Sequence, residues 1–244
     1  MTPLPKILKK RRLAMSNNNE TKKEIFERIK KGKPAPHPLP EIPDFSWPGN
    51  PVENFITLLT GFDGRAVKFK TREDALKWLA AQPELDASRW KIYSSVPDVA
   101  GNVTEEDVAE LRNAANINIC ITEGVLGVGE MGAIWVTDES LKHAACALLP
   151  PTLFILLDGG RIFPGLTDAY KNMNAAATQY GSFFTGPSAT ADIEAVHITG
   201  AQGPLAMIVL IYNCDDAPET PEVIANPNAD TSIWAQKILN GETG

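Results

Sequence analysis

Apolar and polar positions alternate between two periods along most of this chain. Leu153-Phe154-Ile155-Leu156-Leu157 is a continuous apolar run, as a strand buried on both faces requires. Residues 66–69, 91–93, 117–121, 132–137, 182–185, 195–199 and 206–212 also read as strands. Helical spacing lies between them. Asn50 before Pro51 is an N-cap followed by proline at the first helical position, and Phe55, Ile56, Leu58 and Leu59 supply an apolar face. Thr71 with Asp74 and Thr104 with Asp107 resemble capping boxes, opening helices through Leu79 and to Arg112. Residues 141–149 and 167–180 read as two more helices. The expected fold is α/β: a single open, mixed but mostly parallel sheet with helices on both faces. The mixed character is expected from the strands between 182 and 212, which have no long helix between them.

The ends depart from this pattern. Residues 1–19 form a basic leader containing Lys9-Lys10-Arg11-Arg12. It reads as a basic anchor or targeting segment, or as a start placed too early, with Met15 as initiator. Residues 20–31 have helical spacing, with Ile25, Phe26 and Ile29 on one side and Gly32 at the C-cap. Residues 34–51 hold seven prolines in 18 positions, which excludes helix and central strand and leaves an extended connector. Phe45 and Trp47 are expected to lay it on the domain surface. Domain limits follow: leader 1–19, helix and connector 20–49, α/β domain 50–212, acidic polar tail 213–244. In the tail, Ile233, Trp234, Ile238 and Leu239 have the spacing of a small helix.

Composition narrows the function. The 244 residues are 43% hydrophobic and 22% charged, which suits a globular core. No apolar run reaches the ~18–20 residues of a membrane-spanning helix, and a cytoplasmic location is expected. The net charge of −7 divides into +8 over residues 1–33 and −15 over residues 34–244. A body at −15 repels nucleic acid. Cys120, Cys146 and Cys214 lie 26 and 68 residues apart, a spacing that forms no iron–sulfur motif, and histidines occur only at 37, 143 and 197, so no metal site is expected.

Three glycine-bearing bends carry the candidate chemistry. Gly127-Val128-Gly129-Glu130-Met131-Gly132 matches G-x-G-x-x-G, but a dinucleotide fingerprint needs a helix afterwards. Ala133–Thr137 reads as a strand instead, so the expectation is a turn between strands that carries Glu130 at its tip, facing a cleft or solvent. In the second bend, Gly186, Ser188, Thr190, Asp192 and Glu194 offer hydroxyls and backbone donors. These would either cap the loop itself or hold an anion. The third bend, Gly200 to Pro204, contributes Gln202 and Gly203. All three are expected at one sheet edge, where open α/β folds bind ligands.

The run Phe184-Thr185-Gly186-Pro187-Ser188-Ala189-Thr190-Ala191-Asp192-Ile193-Glu194, followed by Thr199-Gly200-Ala201-Gln202-Gly203-Pro204, resembles the C-terminal signature of the lactate-utilisation protein C family, the LUD domain. That family carries G-P-S-x-T-A-D-I-E, one strand, then G-x-H-G-P. Gly129-Glu130-Met131-Gly132 resembles its E-T-G-T segment. The resemblance covers roughly 50–212. Two departures stand out: Gln202 replaces the usual His, and Met131 the usual Thr. Both remove groups that could move protons.

The resemblance implies a fold like that of the NagB/RpiA/CoA-transferase superfamily. It also implies a part in oxidising lactate to pyruvate beside two iron–sulfur proteins, with no cofactor in this chain. The expected function is therefore an accessory component of lactate utilisation that binds iron–sulfur partner proteins and a small anionic ligand. The alternatives are an enzyme acting on an acyl or phosphate-bearing molecule, with Glu130 as nucleophile or base, or a regulatory sensor that touches nucleic acid through its basic helix.

Overall fold

A computed structural model describes residues 20–227 apart from 36, 42, 44–47, 193, 196 and 197. The expectations for the leader, Phe45, Trp47 and the apolar patch at 233–239 lie outside the described residues. Residues 1–44 and 45–244 are separate compact units. In the first, residues 20–32 form helix α1. The described connector residues 33–35, 37–41 and 43 have no regular structure, as their prolines dictate.

In the second unit, side-chain alternation divides the core into two layers. Strands β6 (Thr152–Asp158) and β11 (Ala206–Tyr212) are buried on both faces. Leu153, Ile155 and Leu157, with Met207, Val209 and Ile211, pack against helices α2 (Pro51–Gly61) and α5 (Ala144–Leu148). Phe154 and Leu156, with Ile208 and Leu210, face the opposite layer, which holds Ala75 and Leu79 of α3 (Arg72–Ala80). A period of two in the strands thus feeds two helical layers.

β1 (Arg65–Lys68), β2 (Ile92–Ser94) and β3 (Ile119–Glu123) complete this sheet. Its order is β1-β11-β6-β3-β2, and every pairing is parallel. The α/β class and the helices on both faces agree with the sequence pattern, but the single mixed sheet is corrected. β4 (Leu126–Val128), β5 (Ala133–Thr137), β7 (Ile162–Phe163) and β8 (Gly181–Phe184) form a second sheet, ordered β7-β4-β5-β8 with both parallel and antiparallel pairs. Residues Ala189–Thr190 (β9) and Ile198–Thr199 (β10) pair antiparallel by themselves. Strands joined by short connections close hairpins, and a parallel sheet cannot absorb them.

Four helices differ from expectation. Thr104 and Asp107 exchange the bonds of a capping box, but turns follow, and then a 3-10 helix at Leu111–Asn116. The helix over 141–149 is two, α4 (Asp138–Leu141) and α5, broken where Lys142 adopts φ +59°. The segment 167–180 is helical only over α6 (Leu166–Asn172), with a 3-10 turn at Ala175–Ala177. α1 extends through Gly32. The tail begins as a strap: Ile224 and Ala66 exchange both backbone bonds, at 2.8 and 2.9 Å, which occupies the free edge of β1. Among the described residues no helix is long and apolar enough to cross a membrane.

Candidate functional site

Val128 pairs with Ala133, so residues 129–132 are the turn of an antiparallel hairpin. The G-x-G-x-x-G string therefore opens no helix, as the strand after it required. Gly132 supplies the left-handed step, with φ +59°, and a Cβ there would stand 2.3 Å from the Leu59 backbone nitrogen. Only glycine lets this turn rest on the backbone of α2. On the other side the tip is fastened to the chain after β7. Gly129 donates to the Phe163 carbonyl at 2.7 Å, and Glu130 to the Pro164 carbonyl at 2.9 Å.

The Glu130 side chain has a definite job. Its Oε1 accepts the Leu166 backbone N–H at 2.6 Å, at the first turn of α6. The helix starts at Gly165 with no cap from its own side chain; Glu130 supplies the missing acceptor from 36 residues away. A Cβ on Gly165 would lie 3.3 Å from that carboxylate, so the glycine lets the acid lie against the helix start.

A cleft of about 670 Å³ opens beside this turn. Its walls include Glu130 and Met131 from the hairpin, Leu58, Phe62 and Asp63 from the end of α2, and Thr190 from the second bend. Phe62 is 58% exposed and Met131 37%, so its rim is apolar. Gly186, with φ +65°, brings the second bend to the end of α2: a Cβ there would lie 2.2 Å from the Phe62 carbonyl oxygen. The third bend is tied to the second from behind. Ser188 donates its N–H to the Pro204 carbonyl at 2.9 Å and accepts from Gly200 N at 2.6 Å, and Gly203 packs on the Ser188 side chain.

The nine residues singled out in the sequence thus divide. Glu130 and Thr190 line the cleft. Gly129, Gly186, Ser188 and Gly203 shape or brace the bends. Asp192, Glu194 and Gln202 are exposed and are not among the cleft's described lining. The second bend also caps itself, since Asp192 donates its N–H to Thr190 Oγ1 at 3.2 Å.

The electrostatics run against an anion. The described lining holds two carboxylates, Asp63 and Glu130, and no Lys, Arg or His. It also sits at the carbonyl end of α2, the negative pole of that helix.

A second polar cluster, unseen in the sequence, lies at the carboxyl ends of the parallel strands. Tyr212 donates its hydroxyl to Glu123 at 3.0 Å, Arg72 reaches Glu123 at 3.5 Å, and Arg72 also bonds Asp98. Burial, reinforced by Glu123, pushes the Tyr212 phenol up to about 12. Burial lowers Arg72, but its bonds to Asp98 and Glu123 outweigh this and its pKa rises. Nearby, Lys68 bonds Glu53 and Asp216, both at 2.8 Å. The bonded partners are 15 to 148 positions apart, so no local spacing announces them. The three thiols are buried. Burial raises Cys120 and pushes Cys146 and Cys214 up to about 11, which keeps them protonated and suits core packing.

Lactate utilization protein C of Macrococcus caseolyticus is 29% identical over 109 residues, 42% of this chain and 47% of that protein. Lactate utilization protein C 1 of Bacillus mycoides is 30% identical over 115 residues, 45% and 48% of the two chains. Each match spans about half of the curated relative. A DUF162 family protein from Deinococcus radiodurans aligns at TM-score 0.48 and 12% identity, over 66% of this chain and 96% of that one. The LUD-domain profile matches residues 14–212. It ends where the resemblance ended and starts well upstream of Asn50, taking in α1 and the connector. The chain belongs to the LUD-domain family.

Proposed function

We propose that this protein serves lactate utilisation as a non-catalytic component, acting beside iron–sulfur proteins that handle the electrons. The names of its relatives and the Gly186–Glu194 and Gly200–Pro204 strings support this reading. One observation carries the non-catalytic part: the Glu130 carboxylate is bonded to the Leu166 N–H at 2.6 Å. By that bond the acid caps a helix and shapes one wall of a cleft, a structural role for the residue that the enzyme alternative needs as nucleophile or base.

The cleft is the ligand site in this reading, and its chemistry revises the expected ligand. Apolar walls, two carboxylates and a helix carbonyl end favour an uncharged or cationic apolar group, not an anion. Two experiments test the proposal. Deletion in the native host should abolish growth on L-lactate as sole carbon source, and Glu130→Gln should restore it. Unchanged growth after deletion removes the lactate role; failure of Glu130→Gln in a stably folded protein restores the acid–base reading. Thermal-shift titration with alkylamines against matched carboxylates and CoA esters then tests the cleft, where stabilisation by the anions alone would contradict it.

A further inference from the structure

Helix α1, in the first unit, is amphipathic. Ile25, Phe26 and Ile29 are 52%, 51% and 52% exposed, and they share one sector of the helix. At about 100° per residue, that sector is only about 100° wide. Lys22 falls within it one turn earlier. Lys23, Lys30 and Arg28 flank it, whereas Glu20, Glu24 and Glu27 all fall on the opposite side, with Lys31 among them. The Lys22 ammonium stands 6.0 Å from the Phe26 ring centre. The bonds from Arg28 to Glu24 and from Lys30 to Glu27 are exposed, and exposed pairs exchange partners at little cost.

We propose that α1 is a docking element for an anionic lipid surface. It would lie in the headgroup plane with Phe26 and the two isoleucines inserted and the flanking cations on phosphates. Charge complementarity supports this: residues 1–33 carry +8 while the rest of the chain carries −15, so the attraction is confined to this end. A nucleic acid would leave three apolar side chains against phosphate. A helix-binding protein groove reads anchors over two turns or more; here the apolar residues occupy little more than one. A shallow insertion into lipid fits both the short stripe and its rim of cations.

The test uses the full chain and vesicle co-sedimentation. Vesicles of phosphatidylglycerol mixed with phosphatidylcholine should bind at least about tenfold more tightly than phosphatidylcholine alone, with the difference falling at high salt. Phe26→Ser should weaken binding about tenfold. The triple exchange of Lys22, Lys23 and Lys30 to Gln should weaken it about a hundredfold. Glu27→Gln, on the opposite face, should bind at least as tightly as the parent. All these side chains are exposed, so the fold should be undisturbed, which the thermal midpoint verifies. Equal binding to both vesicle types, or unchanged binding by Phe26→Ser, would overturn the proposal. So would equal retention on a DNA duplex that Phe26→Ser leaves untouched.

Discussion

Removing the Glu130 side chain should unfasten α6 from the hairpin. The bond to Leu166 N is 2.6 Å long and its acceptor is a carboxylate oxygen. Hydrogen bonds to charged groups contribute about 1.5–3 kcal/mol, and a carboxylate at a helix N-terminus adds about 0.3–1 kcal/mol. Water recovers part of this, because the residue is half-buried. Glu130→Ala should therefore lose about 2 kcal/mol. In a domain of this size that lowers Tm by roughly 4–8 °C. Glu130→Gln keeps an oxygen at the same place and should lose only about 0.5–1 kcal/mol, the part owed to charge. Gly165→Ala should fall between them, since its Cβ would press on the carboxylate at 3.3 Å. Urea unfolding at neutral pH gives all three values. Glu130→Ala within about 0.5 kcal/mol of the parent, where surface substitutions usually fall, would mean that the acid does not hold α6, and the case for a capping role would go with it.

Gly132→Ala adds a Cβ 2.3 Å from the Leu59 nitrogen at a left-handed residue. It should destabilise by about 2–4 kcal/mol, while Gly61→Ala, with nothing within 4 Å, should change denaturant stability little. Asp216 is held below the ordinary aspartate range by its bond to Lys68. Its contribution is therefore complete above that range and lost as pH falls through the lowered value. The stability gap between the parent and Asp216→Asn should be visible at neutral pH and close in acid; a gap that widens in acid would reverse the sign. The three buried thiols should resist a disulfide-exchange reagent in the native protein at mildly alkaline pH, and all three should react after unfolding. Labelling of Cys146 in the folded state would contradict its burial.

Much of the main sheet was legible because its signals are local. Apolar runs at 153–157 and 206–212 state their own burial, and Asn50-Pro51 announces α2, where Asn50 Oδ1 accepts from Val52 N at 2.8 Å. The hairpin at 129–132 was legible because β-branched and apolar residues follow the glycines. What failed depends on tertiary partners. Lys142 takes a left-handed conformation with no glycine to signal it. The second sheet forms because β5 finds β8 44 to 50 residues later, with Trp135 opposite Phe183 at 4.9 Å between ring centres. The site shows the same division. The glycines and Glu130 could be picked out by type, but a helix start 36 residues downstream claims the acid. That the cleft's described lining holds no Lys, Arg or His becomes visible only when α2 and the second bend meet.

Growth on L-lactate with an obstructed cleft tests the central claim most directly. Ala191 lines the cleft, is exposed and lies outside any strand, so Ala191→Trp fills the space without touching the core. A strain carrying this variant in place of the parent gene should contain normally folded protein and fail to grow on lactate. Growth at the parental rate, with tryptophan seated in the cleft, would contradict the assignment of that cleft as the working site.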